Sequence, residues 1–208
     1  MKVIFLRHGK TAGNIQKLYN GSTDDPLCDE GIKEIAGYID ESWYPKVDFA
    51  YISPLLRCRQ TKGMIYPGVP DKIVSDLREC NFGRLEGKNH QLLKEVLWYQ
   101  QWLESQKEVI SYPGGEKVQY FKVRCQDAFS YCLKDAFSKG YESIAVVAHG
   151  GTIMAVMEAY AYPQRKFHEW VVGNACGYQL VLEQKDWERQ RRFMDLKLIG
   201  HEIERYAR

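Results

Sequence analysis

Two short apolar runs, far apart in this chain, end in the same way. Val3-Ile4-Phe5-Leu6 stops at Arg7-His8-Gly9, and Ile144-Ala145-Val146-Val147-Ala148 stops at His149-Gly150-Gly151. Short β-branched runs bounded by glycine read as fully buried strands. In a parallel sheet, ligands bind outside the carboxyl ends of the strands. Two separate strands therefore bring an arginine and two of the five histidines to a place suited to handling an anion. One histidine after a strand would be an ordinary loop residue. Two matched instances point to a catalytic site.

The rest of the chain supplies what such a sheet needs. After strand 3–6, a Gly/Asn/Asp-rich loop runs to Pro26, and Ile32, Ile35, Ala36 and Ile39 follow with helical spacing. Val47 to Ile52 reads as a second strand. Ser53-Pro54 then starts a helix, with serine as N-cap and proline in the first turn. Ile73-Val74 suggests a short third strand, and Lys88 to Gln106 reads as helix with Leu92, Val96, Tyr99 and Leu103 on one face. The longest helix carries Val118, Phe121, Cys125, Ala128, Cys132 and Ala136 at three- and four-residue steps. Strand 144–148 precedes a helix from Thr152, Tyr178 to Leu182 forms a strand, and Phe193 to Ile199 an edge strand. Strands alternating with helices imply an α/β fold. We expect one domain over residues 1–208, a three-layer α/β/α sandwich around a mostly parallel sheet with an antiparallel edge strand. Residues 84–121 are expected to form a helical cover over the site.

Composition excludes several classes. With 208 residues, 45% hydrophobic and 27% charged, the chain is an ordinary globule that needs no staples. A net charge of +2 without basic blocks gives no reason to expect nucleic acid or membrane as a partner. The cluster Glu188-Arg189-Gln190-Arg191-Arg192 reads as a solvated turn. Only four apolar residues separate Lys2 from Arg7, so no signal peptide is expected, and no apolar run approaches a membrane span. Six scattered cysteines without a CxxC pair suggest reduced thiols in a cytoplasmic protein.

The histidines lack zinc-site spacing: His168-Glu169 is followed by Val172 where a second ligand would fall, so no metal or other cofactor is expected. A neutral imidazole can instead attack phosphorus and form a phosphohistidine. That chemistry needs cations around the equatorial oxygens and an acid for the leaving oxygen. Arg7 adjoins His8, and Arg57 falls near the start of the helix after Ser53-Pro54, where free N–H groups add to its charge. Arg59 is the competitor on another face. Glu79, Glu86 and Glu116 are candidate acids that spacing alone does not rank. Other phosphoryl-transfer designs are missing: no cysteine has arginine six residues on, and no two aspartates lie two apart. Gly83-Arg84-Leu85-Glu86-Gly87-Lys88-Asn89 is one residue short of a Walker loop and lacks its Ser/Thr.

Taken in order, these segments resemble a known family. The set comprises Arg7-His8-Gly9-x-Thr11, Asn14, Ser53-Pro54-Leu55-x-Arg57-x-x-x-Thr61, Leu77-Arg78-Glu79, Phe82-Gly83-x-x-Glu86-Gly87, Pro113-Gly114-Gly115-Glu116 and His149-Gly150-Gly151. It is similar to the histidine phosphatase superfamily, also called phosphoglycerate-mutase-like, over residues 3 to about 182. The resemblance implies a metal-independent phosphomonoester hydrolase acting on a small organic phosphate. His8 would be the nucleophile and Glu79 the proton donor. Arg7, Arg57 and His149 would hold the phosphoryl group, with Asn14 as helper. Thr11 would donate to phosphate or shape its loop, and Glu86 would organise a loop. Glu116 would cap the long helix. His8 should be neutral, with one ring nitrogen donating to a fixed acceptor, and His149 is better cationic.

Mutases of the same superfamily carry Arg-His-Tyr after the acid and a longer insertion before the second histidine. Here Cys80-Asn81-Phe82 follows Glu79, which favours a phosphatase over a bisphosphoglycerate-type mutase. A non-catalytic phospho-ligand scaffold would be expected to have lost one of the catalytic residues. Similar short chains of the family act on α-ribazole 5′-phosphate or on many phosphomonoesters. Trp98 and Trp102, one helical turn apart, would either line a pocket for an aromatic alcohol or simply pack; Lys88, His90 and Lys94 face solvent. Two residues depart from the family pattern. Cys28 replaces a common threonine, so Asp29 is expected to take over the cap, and Lys117 replaces a common serine at the substrate rim. Cys58, between Arg57 and Arg59 near a helix start, is a candidate thiolate, with a structural thiol as the alternative.

Overall fold

The structure, a computed structural model, describes residues 1–105, 110–193 and 195–201. In chain order the described elements are β1 (Lys2–Arg7), α1 (Ala12–Ile15), α2 (Asp29–Asp40), β2 (Phe49–Ile52), α3 (Leu56–Ile65) and β3 (Asp71–Ile73). Residues 84–121, the segment expected as a cover, hold α4 (His90–Leu93) and α5 (Leu97–Glu104), and α6 (Val118–Ser138) and β4 (Ser143–Ala148) follow. The chain then continues through α7 (Gly150–Tyr160), β5 (Gly177–Val181), α8 (Gln184–Gln190) and β6 (Leu196–Ile199).

The strands form one sheet in the order β3-β2-β4-β1-β5-β6. The first four are mutually parallel, whereas β5 runs antiparallel to β1 and β6 antiparallel to β5. Alternate residues of each central strand go to opposite faces. Val3, Phe5, Tyr51 and Val146 pack with α6 and α7, through Phe129, Cys132 and Val156. Ile4, Leu6, Ile52 and Val147 pack on the other face against Ile35 of α2 and Cys58 and Ile65 of α3. Burial on both sides is why these strands read as unbroken apolar runs. The result is the three-layer α/β fold expected from the sequence.

Several boundaries differ, each for a local reason. The helix after β2 begins at Leu56, not at Ser53-Pro54, because Ser53 Oγ lies 2.6 Å from His149 Nε2. Asp24 caps α3 from another loop instead, accepting from the Leu56 N–H at 2.5 Å. Cys28, not Asp29, caps α2, its Sγ accepting from the Gly31 N–H at 3.4 Å. On α2 only Ile35 of the four apolar positions is buried; Ile32, Ala36 and Ile39 are exposed. The expected 88–106 helix breaks at Lys94-Glu95-Val96 into α4 and α5, and Gln106 lies outside the described residues. The break turns Leu93 and Tyr99 inward and leaves Leu92 and Leu103 exposed. Glu116 does not cap α6; it forms a two-pronged ion pair with Arg124, at 3.0 and 2.8 Å. Glu188 and Arg189, expected in a turn, belong to α8, which Trp187 anchors in the core. Strand β6 starts at Leu196, because Phe193 is drawn into the core beside Phe129.

Candidate active site

Strand register brings the site together. Arg7 pairs with Ala148, so the next residues, His8 and His149, emerge side by side from β1 and β4. Their rings meet edge to face with centroids 5.2 Å apart. Ile52 of β2 pairs with Val147, which sets Ser53 beside His149.

His8 is buried, and its Nδ1 lies 2.7 Å from the Gly9 carbonyl oxygen. A carbonyl only accepts, so Nδ1 carries the hydrogen and Nε2 keeps its lone pair. Burial, reinforced by the charges of Arg57 and Arg7, holds the imidazole well below its ordinary pKa, against the pull of the Gly9 carbonyl. The ring is therefore neutral at pH 7. Thr61 fixes the turn by accepting from the Gly9 N–H at 2.9 Å while donating to the Arg57 carbonyl at 2.6 Å.

His149 has the complementary tautomer. Arg57 Nε can only donate, and it lies 3.3 Å from His149 Nδ1. Nε2 must then carry the hydrogen and donate to Ser53 Oγ at 2.6 Å. Burial, with the nearby Arg57 charge, holds His149 well below its ordinary pKa as well. The expectation of a cationic His149 is thus corrected: two flanking arginines and full burial leave it neutral.

Arg57 is fully buried, whereas Arg59 is exposed. Its guanidinium donates to the carbonyls of Thr23 at 2.6 Å, Gly21 at 2.9 Å and Asn20 at 3.4 Å. The same loop presents its N–H groups to Glu86, which accepts from Gly21, Ser22 and Thr23 at 2.9 to 3.3 Å. Peptide groups of residues 20–23 are thus held between a cation and a carboxylate. Glu86 organises this loop, as expected. A side chain at Gly21 would press its Cβ to 1.8 Å from the Cys80 carbonyl oxygen, so the loop tolerates only glycine there.

Glu79 is held by backbone alone: Oε1 accepts from the Cys80 N–H and Oε2 from the Gly151 N–H, both at 2.9 Å. Burial raises its pKa despite those donors and the charges of Arg57 and Arg7. Arg124, on α6, steadies the segment by donating to the carbonyls of Asp76 at 2.8 Å and Arg78 at 3.0 Å. Arg7 donates through NH1 to the Val172 carbonyl at 2.8 Å. Its buried Nε has no hydrogen-bond partner among the described residues.

Thr11 caps α1 in a reciprocal box with Asn14 and is fully buried, so it shapes the loop. Asn14 Oδ1 accepts from Asn174 Nδ2 at 3.2 Å. Arg7, His8, Asn14 and Glu79 line one end of a cavity of about 280 Å³. Trp98 and Trp102 are not on its wall. Trp102 donates to the Ser111 carbonyl at 3.0 Å, and Arg84 lies over Trp98 at 4.1 Å. The packing alternative therefore holds for both. Cys58 is likewise structural: it is buried with its Sγ 3.3 Å from the Ala148 carbonyl oxygen, and burial pushes its thiol up to about 12.

The family model for the histidine phosphatase superfamily (branch 1) matches residues 3–194. The chain belongs to this superfamily. A broad-specificity phosphatase of Saccharomyces cerevisiae is 26% identical over 182 residues, 84% of this chain and 76% of the relative. An adenosylcobalamin/alpha-ribazole phosphatase of Salmonella typhimurium is 28% identical, covering 85% and 88%. A 2,3-bisphosphoglycerate-dependent phosphoglycerate mutase of Beijerinckia indica is 29% identical, covering 74% and 78%. Among solved structures, a putative alpha-ribazole-5′-P phosphatase of Escherichia coli superimposes with a TM-score of 0.78 at 24% identity, covering 97% and 96%, which bears on the fold alone.

Within this superfamily site, sequence reasoning missed Ser53 as the partner of His149, Arg124 as the brace of the Glu79 segment, and Asn174. Arg124 left one trace: it stands eight residues, about two turns, after Glu116. Asn174 left none; its Nδ2 donates to the His8 carbonyl at 3.1 Å from a loop remote in sequence.

The Glu86 network has a pH signature. Burial raises its pKa, but N–H groups of Ser22, Phe82 and Gly21 and the Thr23 hydroxyl more than offset this, leaving it below the ordinary range. A depressed folded pKa gives stability that is full above the unfolded value and is lost as pH falls through the folded one. Glu86→Gln is expected to lose that stability at neutral pH and to flatten the acid limb of stability against pH. Urea unfolding from pH 7 to pH 3 measures both.

Proposed function

We propose that this superfamily member is a phosphomonoester hydrolase that works through a phosphohistidine on His8. The observation that carries the reading is the 2.7 Å contact of His8 Nδ1 with the Gly9 carbonyl oxygen, which leaves Nε2 as a neutral nucleophile inside the cavity. Nε2 attacks phosphorus as the bond to the leaving alcohol breaks, and Glu79, whose pKa burial raises, in its protonated form gives a proton to the departing oxygen. Arg7 Nε and the amino end of α7 supply donors for the phosphoryl oxygens, and Arg57 adds its charge. The arriving dianion would favour a proton on His149 Nδ1, which turns Arg57 Nε away from that nitrogen and leaves both N–H groups to donate to the phosphoryl oxygens. Water then attacks the phosphohistidine with the Glu79 carboxylate as base, the P–N bond breaks, and the His8 lone pair is restored. Asn14 would orient the phosphoryl group through its amide.

No step calls on a metal or another cofactor. Relatives named as phosphatases support hydrolysis, and relatives named as mutases make transfer the competing outcome. Cys80-Asn81-Phe82 after the acid favours hydrolysis, because no arginine stands there to clamp a carboxylate. A binding scaffold is disfavoured because nucleophile, acid and cations are all present. The partner is a small-molecule phosphomonoester, and six unpaired cysteines support a cytoplasmic setting.

Hydrolysis of an aryl phosphate in EDTA is expected from the wild type and not from His8→Ala; activity that survives in the variant rejects the mechanism. For an alkyl phosphate, whose leaving group needs a proton, kcat/KM should fall toward alkaline pH as Glu79 ionises. Glu79→Gln should lower that rate on the order of 100-fold or more and remove the alkaline limb. An unchanged limb would mean that another group is the acid.

A further inference from the structure

The cavity that receives the leaving group is charged at one end only. Arg7 is the one cation and Glu79 the one carboxylate among its wall residues. Both sit with His8 at the reacting end. Beyond them, much of the wall is aromatic. Tyr19 meets Phe82 at 5.5 Å between centroids, Phe82 meets Tyr112 edge-on at 4.8 Å, and Phe121 also lines the cavity. Leu18, Met154, Phe167 and Val171 add aliphatic and aromatic surface. Asn14 and Asn20 are the amide side chains on the wall.

Four basic residues near this wall have partners of their own. Arg78 pairs with Asp76 at 2.7 Å, and Lys122, which lies over the Phe167 ring at 4.6 Å, pairs with Glu158 at 2.6 Å. Lys117 lies over the Tyr120 ring, 5.4 Å from its centroid. Arg124, the strongest candidate for reaching inward, is locked on Glu116 and on backbone carbonyls. A carboxylate or second phosphate on the leaving group would therefore leave water without a counter-ion, while an aryl or alkyl body would gain contact.

We propose that the enzyme selects monoesters of uncharged, apolar alcohols, aryl or alkyl, and discriminates against leaving groups that carry a carboxylate or a second phosphate. The proposal rests on the hydrolase reading above and narrows its substrate class. It keeps the aromatic preference raised by Trp98 and Trp102 but assigns it to other residues. Trp102 stands behind the wall, 6.1 Å from Tyr112.

A matched pair of substrates tests it: phenyl phosphate and 4-carboxyphenyl phosphate, of nearly equal shape, with trapping of the phosphoenzyme on His8 for each. The expected result is kcat/KM on the order of 100-fold higher for the neutral ester, set by the uncompensated charge. Val171 is 44% exposed at the rim, so Val171→Arg can place a guanidinium against the cavity and should narrow the ratio. Equal rates for the two esters, or preference for the charged one, with His8 phosphorylated, would overturn the substrate class and leave the hydrolase reading standing. No phosphorylation of His8 by either ester would overturn both.

Discussion

The site depends on one imidazole kept neutral between two arginines. In water a histidine near pH 7 is divided between two tautomers and a cation. Here burial and the positive field of Arg57 and Arg7 remove the cation, and the Gly9 carbonyl removes one tautomer. The same guanidiniums that would attract a phosphate thus also keep the His8 lone pair available. His149 is tied into the arrangement in the opposite tautomer, between Arg57 and Ser53.

Holding two arginines in a buried site requires acceptors, and the fold supplies them from loops. Arg57 is satisfied by carbonyls of residues 20–23, and that loop is in turn anchored by Glu86. Burial also raises the pKa of Glu79, against the backbone N–H groups from its own turn and from α7, which favour the charged form. Gly151 is required at that contact, since a Cβ there would lie 2.3 Å from Glu79 Oε1. The sheet sets the two histidines, the 20–23 loop sets Arg57, and the α6–α7 junction sets Glu79.

What could be read in the sequence was what strand geometry dictates. Runs 3–6 and 144–148 are apolar throughout because both faces are covered, and residues at their carboxyl ends have little freedom in where they point. His8, His149 and Arg7 follow directly, whereas Glu79 needed the family resemblance because loop carboxylates carry no periodicity. Where long-range contacts override local preference, the sequence misled. Ser53 has the chemistry of an N-cap but spends its hydroxyl on His149. Cys58 sits beside an arginine near a helix start, yet burial outweighs both influences. Trp98 and Trp102 are spaced to share a helix face, but the break before α5 turns that face toward the satellite cluster of Leu85, Leu93 and Tyr99. Asn174 and Arg124 act on backbone carbonyls distant in sequence, which no local pattern records.

The most direct measurement is the tautomeric state of the two histidines by nitrogen-15 NMR, correlating ring nitrogens with ring protons at pH 7. The account predicts that His8 carries its hydrogen on Nδ1, with Nε2 showing the shift of a bare imidazole nitrogen, and that His149 carries its hydrogen on Nε2. A cationic His8, or one with its hydrogen on Nε2, would leave no nucleophile facing the cavity and would contradict the account.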